Sequence, residues 1–271
     1  MPDMKTSTRN TEVPVAGQGT IEVTVSERGE GSPFLLLHGG GGPLTVSAFA
    51  DLLAGQPARV ITPTHPGFAG TPRPDSLSSV RGLAELYVAL LDALELQDVT
   101  VVGNSIGGWI AAEMALLQSS RTSRFVLVDA VGIEVPGNPV VDFFSLTPRQ
   151  VAEHSYHDPD RFGIDPTKLP PEALQAMAGN RATLTVYAGA SMNDPSLAGR
   201  LRGVTKPALV LWGDADRIAN PDYGRALAAA IPGAGFQLLE KTGHLPQIET
   251  PEQLLEAIRE FVHDGASARP A

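Results

Sequence analysis

The chain has 271 residues, 42% of them hydrophobic and 18% charged, enough for one large core that removes about three-quarters of the extended chain's surface from water. It contains no cysteine, which excludes thiolate nucleophiles, cysteine-ligated zinc and iron–sulfur clusters and suits a reducing, cytoplasmic setting. Its 20 basic and 30 acidic residues leave a formal charge of −10, which argues against nucleic-acid and membrane partners because it repels phosphate backbones and anionic lipid.

Residues 1–17 and 265–271 are polar or small and are expected to be disordered. The segment from Met1 to Asn10 has no apolar stretch of signal-peptide length, and no apolar run elsewhere approaches a membrane span. Ile21, Val23 and Val25 alternate with Glu22 and Thr24, which predicts a strand with one wet face. Further strands are expected at Phe34–Leu37, Val60–Thr62, Val99–Val102, Phe125–Val128, Ala208–Leu211 and Phe236–Leu239. Most are continuously apolar, as strands covered on both faces tend to be.

Between them, Leu83, Leu86, Leu90 and Leu94 recur at helical spacing, and so do Leu254, Ile258, Phe261 and Val262. The last helix is expected to start at Thr250 as N-cap, with Pro251 in its first turn and Gln253 closing a capping box. This rhythm predicts an α/β fold with a mostly parallel sheet flanked by helices. Residues 132–203 break the rhythm. They offer helix starts at Thr147-Pro148, Leu169-Pro170-Pro171 and Asp194-Pro195 but no strand, so they are expected to form a helical lid inserted into a core of residues 18–131 and 204–264.

Gly103-Asn104-Ser105-Ile106-Gly107 follows the apolar run Val99–Val102 and precedes an apolar helix. A strand-to-helix turn this sharp forces the central residue into a strained conformation, and only glycines two residues either side avoid collision. His38-Gly39-Gly40-Gly41-Gly42 follows another strand, where glycines free backbone N–H groups to meet a developing oxyanion. A phosphate cradle fails on spacing, because its third glycine would fall at Leu44.

A serine nucleophile needs an imidazole base and a carboxylate to orient it. His244, in Gly243-His244-Leu245 between the last strand and the last helix, lies at the same sheet edge as Ser105. Asp216, in Trp212-Gly213-Asp214-Ala215-Asp216, follows a strand to that edge, and Asp129 at the end of Phe125–Val128 competes with it. His154 and His157 beside Asp158 and Asp160 are read as a solvated face of the lid rather than a metal site. The order Ser105, Asp216, His244 differs from those of the two unrelated serine-protease folds.

On these residues, with Pro66-Gly67-Phe68 and with Glu249 and Pro251 behind His244, the chain resembles the α/β-hydrolase fold family over residues 18–264. The resemblance implies Ser105 as nucleophile, His244 as base and Asp216, in preference to Asp214, as acid. It implies oxyanion donors at the N–H groups of Gly40 and Ile106. A serine at the elbow separates the chain from relatives that use an aspartate nucleophile.

Within the serine branch, Gly-Asn-Ser-x-Gly-Gly is similar to hydrolases that cleave carbon–carbon bonds in ring-fission products. Those enzymes carry tryptophan after the catalytic histidine, where this chain has Leu245. They also use a lid arginine, for which Arg161, Arg181 and Arg200 are the candidates. The expected function is hydrolysis of a small carboxylic ester or lactone with an apolar acyl group through an acyl-enzyme, with no cofactor or metal. Two alternatives are carbon–carbon hydrolysis of ring-cleavage dienoates and a non-turnover ligand-binding receptor that keeps the triad. Phe143, Phe144, Tyr156, Phe162, Tyr187, Met177 and Met192 are expected to give the lid an apolar underside.

Overall fold

The computed structural model describes residues 6–267. β-Branched residues alternating with exposed or half-buried ones put Val13, Val15, Ile21, Val23 and Val25 on one buried face of an antiparallel hairpin. Its strands are β1 (Ser7–Val15) and β2 (Gly19–Arg28). The turn closes through Gln18 N–H donating to Val15 O at 3.0 Å, with Gly17 at φ 75° and Gly19 at φ 81°, left-handed positions suited to glycine. The expectation of disorder over residues 1–17 is therefore corrected for Ser7–Val15. Pro14, which reads as a strand breaker, is tolerated because β1 is an edge strand.

The chain continues through β3 (Ser32–Leu37), α1 (Leu44–Ala54), β4 (Ala58–Pro63), α2 (Val80–Ala93), β5 (Val99–Asn104), α3 (Ile106–Leu116) and β6 (Thr122–Val128). It then leaves the sheet for α4 (Pro148–Ser155), α5 (Pro159–Phe162), α6 (Pro171–Ala188) and α7 (Leu197–Arg200). It returns as β7 (Ala208–Gly213), α8 (Pro221–Ala230), β8 (Gly235–Leu239), α9 (Pro246–Glu249) and α10 (Pro251–Ser267). Among the described residues the strands form one eight-stranded sheet in the order β1-β2-β4-β3-β5-β6-β7-β8. The β1–β2 and β2–β4 pairs are antiparallel and every other pair is parallel.

Side-chain alternation sorts the strands' apolar residues into two cores. Leu35, Leu37, Val101, Phe125, Leu127 and Val210 face α2, α3 and α8. Phe34, Leu36, Val102, Val126, Val128 and Leu211 face α1 and α10. The spacing read over α2 is used as expected, with Leu83, Leu86 and Leu90 fully buried, and Ser79 caps its start by accepting from Gly82 N–H at 3.0 Å.

Two local expectations change. Helix α10 runs to Ser267, so the C-terminal tail is helical through that residue; the rest of the expected tail, residues 268–271, lies outside the described residues. Gln253 does not reach back into a capping box: its amide accepts from Glu240 N–H and donates to Glu240 O, both at 3.1 Å. The Thr250 hydroxyl pairs with that of Thr242 at 2.8 Å. These bonds pin the loop after β8 to the last helix.

Candidate active site

The parallel strands end at one edge, and the loops leaving β3, β5, β6, β7 and β8 meet there. Ser105 sits between β5 and α3 at φ 57° and ψ −119°, a strained backbone for a residue with a side chain. Its glycine neighbours are explained by contact. A Cβ on Gly103 would stand 2.1 Å from Gly107 O, one on Gly107 2.4 Å from Leu37 O, and one on Gly108 2.4 Å from the Ala130 Cβ. The turn therefore folds only with hydrogens at these positions.

The loop after β3 lies beside this turn: a Cβ on Gly39 would approach Asn104 Oδ1 to 2.9 Å and Ser105 Cβ to 3.3 Å. As the first residue of α3, Ile106 has an N–H with no intrahelical acceptor. These are the two loops from which oxyanion donors at Gly40 and Ile106 were expected.

Asp216 and His244 meet. His244 Nδ1 donates to Asp216 Oδ2 at 2.8 Å, with both side chains buried. Asp216 Oδ1 also accepts from Ile218 N–H at 2.8 Å and Ala219 N–H at 3.2 Å. With its proton on Nδ1, the neutral imidazole keeps its lone pair on Nε2. Among the described residues no hydrogen bond joins Ser105 Oγ to that nitrogen; the two loops are tied through Asn104, whose Nδ2 donates to His244 O at 2.9 Å.

The competing acids are placed as clearly. Asp214 is exposed and accepts from Thr242 N–H at 3.1 Å, bracing the loop rather than the imidazole. Asp129 is fully buried and accepts from Gly213 N–H at 2.8 Å. Burial, followed by the Asp216 charge, pushes its carboxyl well above the usual carboxylate range.

Behind the glycine loop, His38 and His65 are both fully buried with ring centroids 3.7 Å apart. His38 Nδ1 donates to Gly39 O at 2.8 Å, while its Nε2 accepts from His65 N–H at 3.1 Å. His65 Nε2 donates to His38 O at 2.9 Å, and Nδ1 accepts from the Tyr87 hydroxyl. All four ring nitrogens are used in their neutral forms. Burial holds His38 down at about 4, and burial with the neighbouring His38 holds His65 well below the usual imidazole range.

Helix α6 closes over these loops through side chains that the sequence did not single out, Tyr187 excepted. Asn180 Nδ2 donates to Gly41 O at 3.1 Å and its Oδ1 accepts from Ala69 N–H at 2.8 Å. The Thr183 hydroxyl donates to Gly67 O and that of Tyr187 to Pro66 O, each at 2.9 Å. Leu184 covers Gly40, whose imagined Cβ would stand 2.7 Å from Leu184 Cδ2. Glu249 ties the segment between α4 and α5 to the histidine loop, accepting from His157, Asp158 and Gly243 N–H groups at 3.1, 2.8 and 2.7 Å.

The other expected lid residues divide. Tyr156, Tyr187 and Met192 are buried, Phe143 and Phe144 meet edge to face, and Met177 is exposed rather than part of an apolar underside. His154 Nδ1 donates to Gln150 O within its own helix at 2.8 Å, away from any cluster, and among the described residues the only three acidic or imidazole side chains with ligand-capable atoms drawn together are Asp129, Asp216 and His244. Arg200 is engaged with Glu113 and Asp194. Arg161 is exposed and lies over Phe162, and Arg181 donates to Phe143 O at 3.0 Å. No described helix is long and apolar enough to cross a membrane.

Residues 34–257 match the sequence profile of the alpha/beta hydrolase family. A 2-hydroxymuconate semialdehyde hydrolase of Pseudomonas putida is 29% identical, covering 94% of each chain. A 2-hydroxy-6-oxo-2,4-heptadienoate hydrolase from a Pseudomonas putida strain is also 29% identical, covering 90% of this chain and 94% of its own. Among solved structures, a thermophilic esterase from Thermogutta terrifontis superposes with a TM-score of 0.75 at 24% identity, covering 94% of this chain and 98% of its own. The eight-stranded, mostly parallel sheet with helices on both faces agrees with these likenesses, and the chain belongs to the alpha/beta hydrolase family.

Proposed function

We propose that the chain is a serine hydrolase that cleaves a carbon–carbon bond in dienoate products of aromatic-ring fission, using Ser105, His244 and Asp216. The catalytic part rests on one observation: the buried 2.8 Å bond from His244 Nδ1 to Asp216 beside the strained turn at Ser105. The substrate class rests on the near full-length likeness to two enzymes named for such products. It takes precedence over the ester or lactone expected from the sequence.

The steps follow from the groups present. Ser105 Oγ attacks the ketone carbon and gives its proton to His244 Nε2, while Asp216 stabilises the imidazolium. The oxyanion rests on the N–H groups of Gly40 and Ile106. The substrate reacts as its keto tautomer, the enol proton having moved to the carbon beside the ketone; collapse then breaks the bond between that carbon and the former ketone carbon, leaves the electron pair as a conjugated dienolate, and His244 returns its proton to that fragment. Water, losing a proton to His244, then releases the acyl group from Ser105.

A second reading, hydrolysis of a simple ester, is favoured by Leu245 in the place where the resembled enzymes carry tryptophan. The engagement of Arg200 with two carboxylates points the same way, since it leaves that side chain no charge to offer a substrate carboxylate. Offering a 2-hydroxy-6-oxodienoate and a p-nitrophenyl ester to the purified protein separates the readings. A higher kcat/KM for the dienoate is expected; preference for the ester would replace the first reading by the second. Less than one turnover of both would point to a binding protein.

A further inference from the structure

We propose that Asp129 is a positioning residue that works as a neutral carboxylic acid, keeping a proton on Oδ2 and donating it to the Asp216 carboxylate behind His244. Its effect on rate rests on the serine-hydrolase reading given above; the location of the proton does not.

Asp129 directly follows β6 with its side chain fully buried. Oδ1 accepts from Gly213 N–H at 2.8 Å, whereas Oδ2 is buried and meets no N–H or O–H donor among the described residues. Ligand-capable atoms of Asp129, Asp216 and His244 all lie within 4.8 Å of one another. Two carboxylates this close in a site shielded from water do not both carry charge.

Donors decide which one does. Asp216 receives three: Ile218 N–H and Ala219 N–H on Oδ1, and His244 on Oδ2. Asp129 receives one. The charge therefore falls to Asp216 and the proton to Asp129, where it satisfies an oxygen that would otherwise be a bare buried acceptor. The remaining charged neighbour, Glu249 at the end of α9, adds repulsion of the same sign. On the β7 side, Asp214 is exposed and turned to Thr242.

The role follows from this geometry. A hydrogen bond from Asp129 fixes the orientation of Asp216, which in turn fixes the tautomer and tilt of His244. A second anion in that position would instead repel the Asp216 carboxylate and disturb its bond to His244. Asp129 keeps φ at 45°, a left-handed conformation that Asn and Asp tolerate better than other side chains. Asn at this position preserves the backbone, the acceptor for Gly213 and a donor for Asp216.

The test combines infrared spectroscopy with pH–rate profiles of the full chain. At pH 7 the parent should show a protonated-carboxyl C=O stretch that shifts in D2O and is missing from Asp129→Asn. The Asn variant should keep kcat/KM within about threefold of the parent and leave the acid limb of the profile in place. Asp129→Ala should lose about 10- to 100-fold in kcat, the cost of removing a hydrogen bond to a charged group. Should the Ala variant not fold, the Asn variant and the infrared band carry the decision.

Absence of the band, or movement of the acid limb to lower pH by about one unit or more in Asp129→Asn, would show that Asp129 carries charge and overturn the proposal. A fully active Ser105→Ala variant would bring down the hydrolytic reading and the positioning role together. The infrared band would still decide where the proton sits.

Discussion

Glu113 of α3, with a side chain 5% exposed, receives both terminal nitrogens of Arg200 from α7, at 2.6 and 2.7 Å. Asp194 adds a third contact to the same guanidinium at 2.6 Å. The pair fastens α7 to α3, the helix that follows Ser105. Removing Arg200 leaves an uncompensated buried carboxylate, a loss on the order of 2 kcal/mol once the partial exposure of the arginine is allowed for. Arg200→Ala should therefore lower Tm by about 5 °C, and adding Glu113→Gln should restore part of it. KM for the preferred substrate should stay within about twofold. A large rise in KM with unchanged Tm would make Arg200 a substrate ligand instead.

The proposed nucleophile and the choice of acid are separable by substitution. Ser105→Ala should lower kcat by about 10⁴- to 10⁶-fold with folding intact, because members of such a unit do not act additively. Asp216→Asn replaces the acceptor of the His244 Nδ1 proton by an amide and should cost about 10⁴-fold. Asp214→Asn touches only the exposed bond to Thr242 N–H and should be mild. Steady-state kinetics checks all three, and parental activity in Asp216→Asn would remove that residue from the proposed mechanism.

Much of the sheet was legible because its strands are continuous apolar runs, and the turn at Ser105 because glycine was required there on steric grounds. Strand β1 was not. Its exposed half reads as polar tail, and the buried pair Val13 and Val15 flanks a proline that edge position alone excuses. The sequence brought Asp129 and Asp216 to the same edge, but nothing in their spacing told them apart. The difference lies in backbone donors from Gly213, Ile218 and Ala219, loop geometry that carries no period. Asn180 and Thr183 escaped for a similar reason, since a side chain reaching a distant carbonyl leaves no pattern along the chain.

Asn180 joins α6 to both loops beside the site, so its loss should loosen them together. Asn180→Ala leaves Gly41 O and Ala69 N–H without their partner, at a cost of about 1–3 kcal/mol. Amide exchange at residues 66–71 should quicken by about 5- to 100-fold on the same scale, and KM should rise more than kcat falls. Unchanged exchange in that loop would mean that Thr183 and Tyr187 hold α6 in place without Asn180.

His38 and His65 set the acid limit of stability. Both are neutral when folded, with His38 held at about 4 against an ordinary 6.5 and His65 also lowered. Because the folded pKa is depressed, the unfolded chain binds protons first as pH falls. Stability is then fully present above about pH 6.5 and declines toward pH 4, where the folded His38 also takes up its proton. With its folded value at about 4 against 6.5, His38 contributes about 3 kcal/mol to that decline. Protonating either ring also breaks a bond it accepts, from His65 N–H or from the Tyr87 hydroxyl. Urea unfolding between pH 7.5 and pH 4.5 should show this slope. His38→Gln should be less stable at pH 7.5, having lost the fitted bonds, yet decline less steeply on acidification. An identical slope in parent and variant would assign the acid sensitivity to other groups.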